Sequence, residues 1–282
     1  MKNNYKNQNK NKIKKSFNNK EGSFSNHNNK YDNKTDGIYI TGKNVVLEAI
    51  KSNTDILEIL ICDEEQNELY NKIDNIEKYK NIIKILDQDK FNNIVSKIPH
   101  NKEQKIIARI KNYEYCTPID IIEYARSKDE KPFIIILDEI TDPMNFGSII
   151  RSANLAGVHG IIIKEKNNCE VNNLVAGASS GAVFHTKIAK VTNLSRTIED
   201  LKKEGMWFAS ADMDGENIYE SNITLPIGLV IGSEGFGISR LVKEKCDYIV
   251  SIPMKGDIDS LNASVSAGIL MFEIIRKNNY NK

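Results

Sequence analysis

An arginine near the start of a predicted helix is the first group in this sequence that could do chemistry. The polar segment DEITDPMNFG at positions 138–147 follows the apolar run 133–137, and Arg151 comes one turn later. We expect a helix from Asn145 to Ala156, with Asn145 as its amino-terminal cap and Arg151 away from the buried stripe. An arginine in this position can hold a phosphate or polarise a hydroxyl. The alternatives are that Asn145 is only a cap and Arg151 only a solvated residue.

A glycine-spaced loop, GSEGFG at positions 232–237, follows a second apolar run. Its order is G-x-x-G-x-G, whereas a dinucleotide-binding fingerprint needs G-x-G-x-x-G and a later acidic residue, so we reject that interpretation. Glu234 lies between the glycines, where it could bind a ribose or a base amide. Ordinary solvation of a loop carboxylate is the alternative.

The third segment combines SIPM at positions 251–254 with a polar turn and a run of small residues at 263–268. Ser260 or Asn262 is predicted to cap the last helix. The small residues permit close backbone approach, which suits either a bound adenosine or a chain segment passing tightly beneath another. The strands before the second and third segments end in loops, and α/β proteins hold ligands at such a sheet edge.

Strands and helices alternate throughout the second half of the chain, which predicts an α/β fold with a mostly parallel sheet. Continuous apolar runs such as 133–137 and 160–163 are typical of strands covered on both faces. The predicted strands are 133–137, 160–163, 184–191, 206–211, 228–231 and 248–253. The predicted helices are 145–156, 171–179, 194–204, a short one from about 238, and 261–277.

The first half alternates in the same way and predicts a small α/β sandwich. Strands are expected at 39–40, 56–62, 82–86 and 106–110, and helices near 45–50, 64–79 and 90–97. We therefore divide the chain into a tail at 1–35, a first domain at 36–112, a linker at 113–131 and a second domain at 132–282. The linker is expected to contain one short helix at 119–126.

Charge is uneven along the chain, although the formal net charge of all 282 residues is only +1. Residues 1–36 contain nine lysines against three acidic residues and are rich in asparagine. With almost no apolar side chains to offset the entropy of ordering, this tail is expected to be disordered. It could contact RNA phosphates loosely, or it could reflect a drift of the whole composition toward Lys, Asn and Ile.

Several classes of protein are excluded by the composition. No apolar run reaches the roughly 18 residues that a membrane span needs, and the amino terminus lacks the apolar core of a secretory signal. The four cysteines lie far apart without a CxxC spacing, so neither a zinc site nor a disulfide framework is expected. A reducing cytoplasm is the simplest location.

Together, the three polar segments resemble the SpoU, or TrmH-type, family of RNA ribose 2′-O-methyltransferases of the SPOUT superfamily. The resemblance covers about residues 132–277. It rests on N-F-G-x-I-x-R-x-A from Asn145, G-x-E-G-x-G from Gly232, and I-P-M from Ile252 followed by S-L-N-x-S from Ser260. One such motif is weak evidence, but three in order at family-like spacing are strong.

The resemblance implies a trefoil-knotted fold that binds S-adenosylmethionine with no metal. The family's cofactor-binding positions, which act largely through backbone groups, correspond here to Gly232, Ile252, Ser260 and Leu261. Its polar active-site positions correspond to Asn145, Arg151, Glu234 and Asn262. The family is homodimeric, with the active site at the subunit interface.

The first domain is similar to the ribosomal-protein-like RNA-binding domain of the RlmB branch, which methylates a guanosine ribose in 23S ribosomal RNA. G-x-x-x-V at 42–46 fits that branch, whereas the branch's H-Q-G is replaced by HNKEQ from His100, so we interpret His100 as a surface residue. A transfer-RNA methyltransferase on the same catalytic domain is one alternative, but that branch generally has short helical extensions. A non-catalytic RNA-binding protein is the other.

Overall fold

The computed structural model describes residues 37–65, 72–73, 76–98, 104–257 and 260–278, which contain two β-sheets. Four predictions fall wholly or partly outside these residues, and one of them is the helix at 64–79. The disordered tail at 1–35 and the surface position of His100 lie outside them, as does Asp259 in the third polar segment.

The first sheet is the centre of a small α/β sandwich, as predicted. Its strands are β1 (Ile38–Thr41), β2 (Ile56–Cys62), β3 (Ile83–Leu86) and β4 (Ile106–Ile110), in the order β1-β4-β2-β3. Helices α1 (Lys43–Lys51) and α2 (Gln88–Val95) accompany them. Val46 of α1 joins one apolar cluster with Ile59 and Ile61, whereas Phe91 of α2 joins another with Leu60, so a helix covers each face.

The helix predicted at 64–79 is wrong at both of its ends, and residues 66–71 and 74–75 between them lie outside the described ranges. Where the structure describes this stretch, it has 3₁₀ turns at Asp63–Glu65 and Ile76–Tyr79 and a turn at 72–73. The apolar spacing that suggested a helix instead places Ile73 and Tyr79 in the core.

The second sheet has six parallel strands, which confirms the predicted parallel α/β class. They are β5 (Phe133–Asp138), β6 (Gly160–Lys164), β7 (Lys187–Val191), β8 (Trp207–Asn217), β9 (Ile227–Gly232) and β10 (Tyr248–Ser251), in the order β10-β8-β9-β5-β6-β7. Two boundaries differ from prediction by several residues. Strand β7 begins at Lys187 because a 3₁₀ turn occupies Ala182–His185, and β8 continues to Asn217.

Helices cover both faces of this sheet. They are α3 (Pro118–Ser127), α4 (Pro143–Leu155), α5 (Asn173–Ala178), α6 (Leu194–Lys203), α7 (Arg240–Lys243) and α8 (Ala263–Lys277). One face packs against α4 and α8, through residues such as Phe146 and Ala267. The other packs against α3, α6 and α7, through residues such as Ile122, Ile198 and Val242.

Strand register brings the predicted site segments together. Because β5 and β9 are parallel neighbours, Asp138 lies opposite Gly232, and the two following loops leave the sheet at the same point. Strand β10 lies at the sheet edge beyond β8, yet α8 returns to pack against α4. The third segment therefore crosses the carboxyl edge of the sheet between these positions.

The linker region is closely attached to the second sheet. Thr117 and Asp120 form a capping box at the start of α3, and Ile121 and Ile122 pack with the second sheet's core. The Tyr113 hydroxyl also donates to the carbonyl of Thr186 at 2.6 Å. The division at 113–131 stays a prediction, but α3 belongs to the packing of the second sheet.

Gly147 permits close packing of α4 on α5. A Cβ atom at Gly147 would lie 2.5 Å from the Cβ atom of Ala178 and 2.9 Å from the carbonyl oxygen of Val175. We expect Gly147→Ala to lower the free energy of unfolding by about 1–3 kcal/mol, because the two helices must separate. Gly177→Ala is the matched control, since its Cβ atom would meet nothing within 4 Å and alanine favours a helix by about 0.5–1 kcal/mol. Urea unfolding measures both, and equal effects would contradict this packing.

Candidate functional site

The start of α4 differs from prediction in a way that frees Asn145. Asp142, not Asn145, caps the helix by accepting from the Met144 N–H at 3.0 Å, and Pro143 occupies its first turn. Proline suits that position because its fixed φ matches the helix and its missing N–H is not needed there. The interpretation of Asn145 as a cap was therefore wrong, and its side chain is available for a tertiary contact.

Glu234 is the centre of a hydrogen-bond network at the carboxyl edge of the second sheet. Its Oε1 atom accepts from the Asn145 amide at 3.1 Å, from the Asn262 amide at 2.5 Å and from the Ala263 N–H at 3.3 Å. One carboxylate oxygen thus joins α4, the loop after β9 and the start of α8. The alternative that Glu234 is an ordinary solvated loop carboxylate is therefore wrong.

Asn262 has two structural roles at once. Its Oδ1 atom caps α8 by accepting from the Ser264 and Val265 N–H groups at 2.9 and 3.3 Å. Its Nδ2 group donates to Glu234 and, at 2.8 Å, to the Oδ1 atom of Asn145. Of the two caps that the sequence left open, the structure has Asn262 and not Ser260.

Arg151 lies on the same helix as Asn145 but makes a different contact. Its side chain is exposed, and its NH1 group donates to the Ser180 hydroxyl at 3.0 Å. Ser180 has a left-handed backbone, with φ 51°, in the turn after α5. The structure therefore joins three of the four predicted active-site side chains directly and leaves Arg151 outside that network.

A cavity of about 420 Å³ contains all four residues predicted to bind the cofactor. Gly232, Ile252, Ser260 and Leu261 line it, together with the loop that carries Glu234. That loop is a tight turn, in which Ser233 and Gly237 exchange backbone hydrogen bonds of 3.2 and 2.9 Å. A Cβ atom on Gly232 would lie 2.2 Å from the carbonyl carbon of Gly237, so the turn needs glycine there.

A second cavity, also about 420 Å³, lies on the other side of the same loop. Both cavities are lined by Ser233, Glu234, Gly235, Phe236 and Ala263, so these residues form a shared wall. We call the cavity lined by Gly232 and Leu261 the donor cavity. We call the one lined by Glu139 and Asn167 the second cavity.

Sequence reasoning missed residues around the shared wall. Buried Asp138 accepts from the Ser239 N–H at 2.8 Å and so holds the end of the glycine loop against β5. The sequence did contain a signal for Asp138, because a carboxylate at the end of an otherwise apolar strand indicates a specific contact. Glu139, Asn167 and Phe236 carried no comparable signal, because their roles depend on contacts between distant segments.

Burial suppresses thiolate formation at two of the four cysteines. All four cysteines are free, and burial raises the pKa of Cys169 to about 11 and that of Cys246 to about 12. These two thiols are therefore protonated near neutral pH. In the part of the chain that the structure describes, no group of three or more His, Cys, Asp or Glu side chains could hold a metal ion.

No helix among the described residues combines the length and apolarity needed to cross a bilayer.

Comparison with known sequences identifies both halves of the chain. Residues 132–272 match the SpoU rRNA Methylase family, and residues 39–116 match the domain described as RNA 2′-O ribose methyltransferase substrate binding. The chain is 39% identical over 248 residues to the putative TrmH family tRNA/rRNA methyltransferase YacO of Bacillus subtilis, covering 86% of this chain and 96% of that protein. It is 40% identical to a putative TrmH family tRNA/rRNA methyltransferase of Staphylococcus saprophyticus, covering 86% and 97%.

Solved structures show the same fold. The SpoU methyltransferase AviRb from Streptomyces viridochromogenes, crystallised in complex with AdoMet, superposes with a TM-score of 0.69 at 22% identity, covering 86% of this chain and 90% of that one. A putative TrmH-family RNA methyltransferase from Porphyromonas gingivalis gives a TM-score of 0.69 at 21% identity, covering 86% and 91%. At these identities the likeness concerns the fold.

Proposed function

This chain belongs to the SpoU, or TrmH-type, family of RNA methyltransferases, and we propose on that premise that it methylates the 2′-hydroxyl of a guanosine ribose in 23S ribosomal RNA. The methyl donor is S-adenosylmethionine. One observation carries the proposal: two cavities share a wall whose carboxylate, Glu234, is bonded to Asn145 and Asn262. A methyl transfer between two bound molecules needs such adjacent sites.

The donor cavity fits S-adenosylmethionine in size and chemistry. Its volume of about 420 Å³ is within the range of roughly 300–1,000 Å³ typical of small-molecule sites. Ile252 and Leu261 supply apolar surface for an adenine, and the backbone at Gly232 supplies close polar groups, with Ser260 at the same cavity. When bound there, the cofactor would supply a methyl group on a sulfonium, from which the neutral thioether is a good leaving group.

The protein's part in the reaction is to orient the ribose hydroxyl and to assist loss of its proton. We assign Arg151 to the phosphate next to the target ribose, because a guanidinium can bind two phosphate oxygens at once. Arginine is a poor base near neutral pH, since its pKa is above about 12. The phosphate or a water molecule therefore accepts the proton.

In this proposal the catalytic segments are held in place by three side chains, Asn145, Glu234 and Asn262. Their mutual hydrogen bonds fix the start of α4, and hence the helix that carries Arg151, relative to the glycine loop. The contact from Arg151 to Ser180 holds the guanidinium at the surface, where an RNA phosphate can reach it.

The first domain supports ribosomal RNA as the substrate class. It matches a domain described as RNA 2′-O ribose methyltransferase substrate binding, and its assignment to the RlmB branch is part of this proposal. Its Glu48 carboxylate forms a hydrogen bond with the Nε2 atom of His185 in the second domain at 2.9 Å, so the two domains are in contact. A cytoplasmic location is part of the same proposal.

We also propose that the carboxyl-terminal segment is knotted. Between β10 and α8 the chain crosses from the edge of the second sheet back to α4, close to the loop after β9. Such a crossing is what a trefoil knot requires, and knots are rare among protein folds. An experimental structure in which residues 252–262 pass outside the loop at 232–237 would contradict the knot.

A homodimer is proposed with α4 and α8 at its interface. These helices pack on each other and expose large apolar side chains, namely Met144, Leu155, Val265 and Phe272, at 39–69% exposure. A second copy is the expected cover for this surface, and it would place two active sites near the interface. Sedimentation equilibrium at the mass of one 31.9 kDa chain would contradict the dimer.

Methyl transfer to unmodified RNA tests the function. We expect labelled S-adenosylmethionine to modify one guanosine in a 23S ribosomal RNA transcript and none in a pool of transfer-RNA transcripts. Alkali-resistant dinucleotides would show that the label is on the 2′-oxygen. Labelling of transfer RNA alone would support the transfer-RNA alternative, and calorimetry without detectable S-adenosylmethionine binding would support the non-catalytic one.

A further inference from the structure

The second cavity has a fully exposed aromatic side chain on its shared wall. Phe236 is 91% exposed, more than any other large apolar side chain in the described ranges, of which the next is Leu155 at 69%. Its loop is nevertheless well tied, because the Phe236 N–H donates to the Ser233 hydroxyl at 3.4 Å and Gly237 bonds back to Ser233. A solvent-exposed phenyl ring on a hydrogen-bonded turn is suited to stacking on a planar partner.

A carboxylate and an amide lie together at the same cavity. The Asn167 Nδ2 group donates to the Oε1 atom of Glu139 at 3.4 Å, and the Lys164 ammonium lies 3.8 Å from that oxygen. Glu139 follows β5 and Asn167 follows β6, so neighbouring parallel strands place them side by side at the carboxyl edge.

Both residues have an uncommon backbone conformation. Glu139 has φ 62° and Asn167 has φ 61°, in the left-handed region that side chains other than glycine seldom adopt. The loop after Glu139 is held by the Ile140 N–H, which donates to Asn168 at 2.7 Å, and by the Cys169 N–H, which donates to the Ile140 carbonyl. Such strained residues persist where the surroundings fix them, and they concentrate at binding sites.

We propose that the second cavity holds the base of the target nucleotide, stacked on Phe236 and recognised along its edge by Glu139 and Asn167. The proposal rests on the proposed function and names the residues that select the base. Guanine fits this pair, because its N1–H and N2–H groups can donate to the Glu139 carboxylate while its O6 atom accepts from the Asn167 amide. Adenine, cytosine and uracil each place an acceptor against the carboxylate.

The cavity's position agrees with this use. It shares Glu234 and Ala263 with the donor cavity, so a base in the second cavity brings its ribose toward the shared wall. Asn145 also lines the second cavity, on the helix that carries Arg151. Base, ribose and phosphate thus have separate contacts: the second cavity, the shared wall and Arg151.

The stacking role is tested by RNA binding without the cofactor. Phe236→Ala should weaken binding of a 23S ribosomal RNA transcript about 5- to 100-fold, the range expected for loss of one base–aromatic stack, whereas Phe236→Trp should retain it. Trp207→Ala is the matched control. Trp207 is also an exposed aromatic, but it lies at the amino end of β8, away from the carboxyl edge where both cavities lie. Unchanged affinity in Phe236→Ala would overturn the stacking role.

The edge-reading role is tested with inosine, which lacks the N2 amino group of guanosine. Using a synthetic hairpin that carries the mapped target nucleotide, we expect the wild-type enzyme to lose about tenfold or more in kcat/KM when inosine replaces guanosine. Glu139→Gln should be slow on guanosine and nearly indifferent to the replacement, while Glu123→Gln, on an exposed face of α3, keeps wild-type selectivity. Wild-type selectivity in Glu139→Gln would overturn the assignment.

The same assays separate this inference from the proposed function. A wild-type enzyme that labels guanosine, together with a Glu139→Gln enzyme of wild-type selectivity, overturns the base site but leaves the proposed function standing. A wild-type enzyme that labels no RNA overturns the proposed function and the base site together.

Discussion

Replacing Arg151 with lysine should lower kcat/KM for RNA methylation by about 100- to 1,000-fold. The lysine ammonium keeps the positive charge but cannot bind two phosphate oxygens in one plane, so the ribose hydroxyl loses its alignment. The magnitude is that of removing one group that positions or stabilises the transition state. Arg151→Ala should be at least as impaired. Initial rates at varied RNA concentration measure the effect.

The structure supplies controls that isolate the contribution of Arg151. Affinity for S-adenosylmethionine, measured by calorimetry, should be unchanged, because Arg151 does not line the donor cavity. Arg196→Lys should be neutral, since Arg196 is also an exposed helical arginine and lies on α6. Near-normal turnover by Arg151→Lys with intact RNA binding would contradict the two-oxygen contact with phosphate.

Most of the hydrogen-bond donors of Arg151 are not used within the described part of the protein, which leaves them for RNA. The guanidinium has five N–H donors, and among the described residues the structure records one hydrogen bond, to Ser180. Ser180 can bind one edge of the guanidinium while the other edge contacts an RNA phosphate. A Ser180→Ala change should therefore affect the rate much less than a change at Arg151.

Local sequence patterns predicted the elements that depend on neighbouring residues. Strands β2 and β4 begin and end at the predicted residues, because both are rich in apolar side chains that pack in the core. The helix predicted after β5 exists, but its first residue was misplaced. Asp142 followed by Pro143 is the stronger start signal, and recognising it would have shown that Asn145 does not act as a cap.

Contacts between distant residues could not be read from local patterns. Asn145 and Glu234 are 89 positions apart, and their hydrogen bond follows from the register of β5 with β9. The Arg151 contact to Ser180 likewise depends on the packing of α5 against α4. Resemblance to the family assigned Asn145, Glu234 and Asn262 to one site, and the geometry shows that they touch, while their individual roles stay predictions.

Glu234→Ala should be the most damaging change in the network, with a loss in kcat/KM of about 100-fold or more. The change removes the acceptor for Asn145, Asn262 and the Ala263 N–H together, and it loosens the wall that both cavities share. We therefore expect weaker binding of both S-adenosylmethionine and RNA. Glu234→Gln keeps one acceptor oxygen and should lose only about tenfold, since a neutral hydrogen bond is weaker than one to a charged group.

Coupling between these residues distinguishes a network from three independent contacts. If Asn145 acts through Glu234, then Asn145→Ala added to Glu234→Ala should cause little further loss, because the shared interaction is already gone. Glu244→Ala, which removes an exposed carboxylate paired with Arg240, should leave the rate unchanged. Fully additive losses at Asn145 and Glu234 would show that each contacts the substrates separately. A non-additive result would mean that the glutamate's work is to hold α4 and the glycine loop at the distance that methyl transfer requires.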